Sequence, residues 1–124
     1  MATIKSFTSL EQSKKLAEIL PLESADMYYS KYDTIHAETL YSPCDIQYFN
    51  IHEHTPCWSL AALLSVLPSY FYDETGRKTL GMSKGDTYYY IFYENKNSYI
   101  EKKAGNPVDA CVAMIEHLHE LKML

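Results

Sequence analysis

Pro56-Cys57-Trp58-Ser59-Leu60-Ala61-Ala62-Leu63-Leu64-Ser65-Val66-Leu67-Pro68 carries no charged residue from one proline to the other. Its punctuation predicts a helix. Thr55 can cap it, Pro56 suits a first helical position whose N–H needs no partner, and Pro68 cannot continue the turn. Trp58, Leu60, Ala61, Leu63, Leu64, Val66 and Leu67 point to nearly every side of the cylinder, and a helix apolar all round lies inside a core or a membrane. About a dozen residues rise only about 18 Å against a bilayer hydrocarbon core of about 30 Å, so the expectation is a buried central helix.

Working outward, Thr8-Ser9-Leu10-Glu11 matches a capping box with Phe7 as staple, opening a helix that runs to about residue 20, where Pro21 stops it. Over residues 22–55 the pattern is weak: 24–29 suits a short helical turn and 46–51 a short aromatic strand. Beyond the central helix, apolar segments at 69–72, 78–82, 87–94 and 98–102 alternate with turn residues at 73–76, 83–86 and 95–97, the spacing of an antiparallel meander. Asn106 can cap and Pro107 open a last helix, in which Val108, Cys111, Val112, Ile115 and Leu118 recur at three and four, with Met114 and Leu121 widening the stripe. The fold class is therefore α+β: an antiparallel β-meander packed with a buried central helix and N- and C-terminal helices, as a single domain over residues 1–124.

The chain has 124 residues, 47% hydrophobic and 22% charged, which suits a globular domain and not a disordered one. Its formal charge of -5 gives no broad footprint for phosphate backbones, so nucleic acid is not the expected partner. Cys44, Cys57 and Cys111 are odd in number and widely spaced, which suits reduced thiols in a cytoplasmic protein. Residues 1–10 lack the apolar run of a signal peptide, and no segment is long enough to span a membrane.

Three blocks carry a resemblance: Ser9-Leu10-Glu11-Gln12-Ser13-Lys14-Lys15-Leu16 through Ser24-Ala25-Asp26-Met27, then Cys57-Trp58-Ser59-Leu60 to Leu67-Pro68, then Asp109-Ala110 with Met114-Ile115 and Leu118-His119. Together they resemble a family of small uncharacterised proteins found in prophage-like and other mobile DNA of gut bacteria. The shared residues are capping and core residues, not catalytic signatures. The resemblance implies a context, an accessory or interaction role in a mobile element, and brings no activity, cofactor or site residue with it.

Two constellations could carry chemistry. Cys57 before Trp58 at a helix start is similar to the nucleophile segment of papain-like peptidases, where the helix N-terminus lowers the thiol pKa. The general base is the difficulty, since no His lies between Cys57 and His117 and the glycine surround of that motif is absent. A packed apolar thiol is the competing reading. His52-Glu53-His54 with Cys57 behind, and Cys44 or His36 as further ligands, could suit zinc, although the paired spacing of structural sites is missing. Glycines 76, 81, 85 and 105 form no phosphate loop, so no cofactor is expected.

The remaining signal is aromatic. The chain holds 12 Tyr against one Trp and four Phe, and Thr87-Tyr88-Tyr89-Tyr90-Ile91-Phe92-Tyr93 concentrates them. In a strand Tyr89, Ile91 and Tyr93 share one face, and Tyr88, Tyr90 and Phe92 the other. Ile91 is the only aliphatic residue there, so its face is assigned to the core; the other face is either covered by helices or by residues 22–55, or it is open and Tyr88, Tyr90 and Phe92 form a contact face for another protein or a second copy of the chain. The expected function is a non-enzymatic protein- or peptide-binding module, with a cysteine hydrolase using Cys57 as the alternative.

Overall fold

The computed structural model describes residues 5–29, the backbone of 35–36, and 54–124. They form two compact units, Ser6–Val66 and Leu67–Leu124, the second including Lys5. Each has an antiparallel sheet with helical elements, an α+β class. Among the described residues no helix is long and apolar enough to cross a membrane.

In the first unit, helix α1 (Leu10–Leu16) is capped by Ser9, whose hydroxyl accepts from Gln12 N while the Gln12 side chain accepts from Ser9 N. The capping box thus sits one residue later than Thr8 and Glu11 suggest, because Thr8 is committed elsewhere. Its Oγ1 accepts from Trp58 N at 3.2 Å and lies 2.7 Å from Ser13 Oγ, and its N–H donates to the Trp58 carbonyl at 3.0 Å. The helix also ends at Leu16, earlier than expected. A 3-10 turn (Leu22–Ser24) follows, then β1 (Met27–Tyr29). Where the sequence suits a helical turn through 24–29, Met27–Tyr29 is instead the middle strand of a three-stranded sheet. It lies between β2 (Ile35–His36) and β3 (Thr55–Cys57), pairing Met27 with Cys57 and Tyr29 with Thr55. The strand expected at 46–51 lies outside the described residues.

The central helix is shorter than its punctuation implies. Residues 55–57 are β3, an edge strand, where Pro56 removes no needed donor, and α2 spans only Leu60–Val66. Ser59 replaces Thr55 as the cap: Ala62 N donates to Ser59 Oγ at 3.2 Å. Asp26 holds that cap from outside, accepting from Ser59 N at 2.9 Å and from its hydroxyl. Nor is the helix buried on every side, since Ala62 and Leu63 are buried while Ala61 and Ser65 face water.

The second unit is the meander. Strands β4 (Tyr70–Asp73), β5 (Gly76–Lys84), β6 (Tyr89–Glu94) and β7 (Tyr99–Ala104) are adjacent in chain order. The first hairpin pairs Asp73 with Gly76, leaving a two-residue loop, and Gly76 takes φ 110, a conformation a side chain resists. Helix α3 (Pro107–Glu120), capped by Asn106 with Pro107 in its first turn as the sequence predicts, packs on β6 and β7. It buries Val108, Cys111, Val112, Met114, Ile115 and Leu118, whereas Leu121 lies past the helix and is exposed.

The stability of α2 depends on Leu63, which is fully buried, more than on half-buried Leu64. Leu63→Ala is expected to cost about 2–5 kcal/mol through lost transfer energy and the cavity left behind. Thermal melts of both variants check this: Leu63→Ala lowers the melting temperature by several degrees, Leu64→Ala by clearly less.

Candidate binding face

The pleat of β6 divides its aromatics. Ile91 and Tyr93 are 0% exposed beneath α3, and Tyr93 rests against the Phe71 ring at 4.8 Å while its hydroxyl donates to the Pro68 carbonyl at 2.7 Å. Burial, with the nearby Cys111 thiol, pushes the Tyr93 phenol well above its ordinary pKa, and burial pushes the Cys111 thiol to about 12. Tyr90 and Phe92 alternate to the other face.

Register shows what joins them there. Directly paired residues share a face, so Gly81–Phe92–Glu101, Ser83–Tyr90–Lys103 and Tyr70–Thr79–Glu94–Tyr99 are rows across the open side, with Tyr72 opposite Arg77. Tyr72 and Tyr99 are each 68% exposed, Tyr70 46% and Tyr88 39%. The Arg77 guanidinium stacks on the Tyr70 ring at 4.1 Å, and Lys103 sits over Tyr88 at 4.7 Å. Tyr88 meets Tyr90 edge to face, and Tyr70 meets Tyr72 the same way. Among the described residues the hydroxyls of Tyr70, Tyr72, Tyr88 and Tyr99 have no hydrogen bond within the chain.

Phe92 is the floor of this face because Gly81 opposite it has no side chain. A Cβ there would meet Phe92 Cε2 at 2.3 Å, so the ring lies flat over the strand backbone. Clefts open on both sides of the ring: one of about 220 Å³ lined by Phe92, Glu94, Tyr99 and Glu101, the other of about 580 Å³ reaching Thr79, Gly81, Asn95 and Lys96.

The other predicted site residues lie elsewhere. Cys57 is in β3, not at a helix start, and is fully buried. Its Sγ is 3.4 Å from Thr8 Oγ1 and donates to the Thr8 carbonyl at 3.4 Å; desolvation raises its pKa, where a nucleophile needs it lowered. The His54 ring packs edge-on against Tyr28 at 5.2 Å. His52 and Cys44 lie outside the described residues, as does the side chain of His36. Among the described residues no group of three or more His, Cys, Asp or Glu is placed to hold a metal.

A polar cluster that the sequence did not suggest sits at the first hairpin. Lys78 lies on the covered face opposite Phe71, buried along its whole length, and its Nζ reaches Asp73 Oδ2 and, at 2.6 Å, Thr75 Oγ1. Hydrogen bonds from Lys78 and then Thr75 hold the Asp73 carboxyl down at about 2. A folded pKa below the ordinary ~3.9 means that the pair stabilises the hairpin above pH ~4 and that this contribution fades as pH falls toward 2. Titration of the Asp73 carboxyl by carbon NMR checks it. The midpoint is expected near 2 in the parent and higher in Lys78→Met, still below ~3.9 because Thr75 keeps its hydrogen bonds to the carboxyl; a parent midpoint near ~4 contradicts the pairing.

The sequence reading missed Tyr70, Tyr72, Tyr99, Glu94 and Glu101. Counting 74–75 and 96–97 as two-residue loops would have found them, since those loops alone set Tyr72 against Arg77 and Glu94 against Tyr99. Comparison with known protein families, curated proteins and solved structures found no match to this chain.

Proposed function

We propose that the chain is a non-enzymatic binding module whose contact surface for another protein is the open face of the β4–β7 sheet. The observation that carries this is the concentration of exposed tyrosines, Tyr70, Tyr72, Tyr88 and Tyr99, around the half-buried Phe92 on one side of one sheet. Tyrosine rings give a large rigid contact area at small conformational cost, the hydroxyls of these four make no hydrogen bond among the described residues, and tyrosines recur in interface hot spots. The charges on the face, Arg77 and Lys103 against Glu94 and Glu101, balance, which suits a protein surface better than a polyphosphate. The cysteine hydrolase reading has less support, because Cys57 is buried and its thiol pKa raised.

Free buried thiols at Cys57 and Cys111 agree with a reducing compartment, and a cytoplasmic location is part of the proposal. The resemblance to mobile-DNA proteins adds a role as an accessory protein of such an element. A second copy of the chain is the simplest competing occupant of the face, and sedimentation of the purified protein separates the two.

The test compares the partners recovered from the native host by the parent, by Tyr72→Lys/Tyr99→Lys, and by Glu11→Lys on α1. The open-face double variant should lose its partner while keeping the parent's melting temperature, and Glu11→Lys should keep both. An unchanged partner set in the double variant overturns the proposal.

A further inference from the structure

Within the open face, one corner is chemically distinct. Phe92 pairs across strands with Glu101 and Glu94 with Tyr99, so two rings and two carboxylates form a block on the open side of β6 and β7. All four line the same cleft of about 220 Å³. Both carboxylates are exposed and, among the described residues, neither has an ion pair. The cations that could neutralise them are engaged otherwise or stand apart. Lys103, two residues along the face from Glu101, lies over the Tyr88 ring, and Arg77 stacks on Tyr70. Lys96 lines the neighbouring cleft with Glu94 without pairing to it.

An aromatic floor bordered by two unpaired carboxylates is complementary to a cation that is flat and can donate several hydrogen bonds at once. A guanidinium meets all three conditions: it stacks on rings, it pairs with carboxylates in a two-pronged fashion, and it loses less hydration than an ammonium. We infer that the Phe92–Glu94–Tyr99–Glu101 notch receives an arginine side chain of the partner protein, as the anchor of the contact made by the open face. This rests on the binding-face reading above and adds the chemistry of the partner: an arginine-bearing segment.

The experiment uses the full chain, nitrogen-15 labelled, titrated at physiological ionic strength with a short glycine/serine peptide carrying two arginines and with its citrulline counterpart, which keeps the shape and removes the charge. The arginine peptide should shift the amides of Phe92, Glu94, Tyr99 and Glu101, and the citrulline peptide should not. Glu94→Gln/Glu101→Gln should weaken binding at least about tenfold. Glu116→Gln/Glu120→Gln, the same charge change on α3 behind the same sheet, should leave it within about twofold, as charges beyond a Debye length are screened. Equal weakening by both double variants, or shifts centred elsewhere, overturns the inference by reducing it to bulk electrostatics. The two proposals fail separately. If Tyr72→Lys/Tyr99→Lys loses the native partner while Glu94→Gln/Glu101→Gln holds it at full affinity, the arginine notch is wrong and the binding face stands. If neither double variant affects the native partner, the face itself is wrong.

Discussion

The two-residue repeat of strand β6 is the constraint on which the meander unit depends. Ile91 and Tyr93 must lie under α3, because between them they fill the centre of the covered face, and full burial of such a side chain is worth about 1.5–3 kcal/mol. Once they are placed, Tyr90 and Phe92 have no choice of side, and a one-residue slip would exchange both sets at once. Neighbouring strands inherit the assignment through their register. Phe71 and Lys78 join the covered face; Tyr70, Tyr72, Arg77, Tyr99 and Glu101 join the open one. An aromatic open face thus follows from the same pairing that builds the core.

Much of this was legible in the sequence. The alternation of Tyr88 to Tyr93 and the single aliphatic Ile91 identified the covered side, and Asn106, Pro107 and the spacing of Val108 to Leu118 predicted α3. These are local signals, and each is read from residues within one helix or one strand. The central helix was misread for the opposite reason. Thr55 and Pro56 are adequate helix starters, but Pro56 and Cys57 instead pair with Tyr28 and Met27, about thirty residues away in the chain. Nothing in the sequence from 55 to 60 records that partner. The same holds for Thr8, whose capping signature is overridden by bonds to Trp58, Ser13 and Cys57.

Those bonds also explain why a cysteine that looks reactive in sequence belongs to the interior. Thr8 ties the segment before α1 to the end of β3, and its carbonyl accepts from both the Cys57 thiol and, at 2.9 Å, the Tyr29 hydroxyl. A thiol used as a donor inside such a network, and desolvated, stays protonated. On the open face of the β4–β7 sheet, opposite the side that α3 covers, the described side chains that meet solvent are aromatic and charged.

The central claim is that one sheet has a covered and an open aromatic face, and tyrosine reactivity tests it most directly. Nitration of the folded protein with tetranitromethane, followed by peptide mass mapping, reads each ring separately. The account predicts rapid modification of Tyr72 and Tyr99, slower modification of Tyr88 and Tyr70, and none at Tyr93 until the protein unfolds. Modification of Tyr93 at the rate of Tyr72, or protection of Tyr72 and Tyr99 in the monomeric protein, would contradict it.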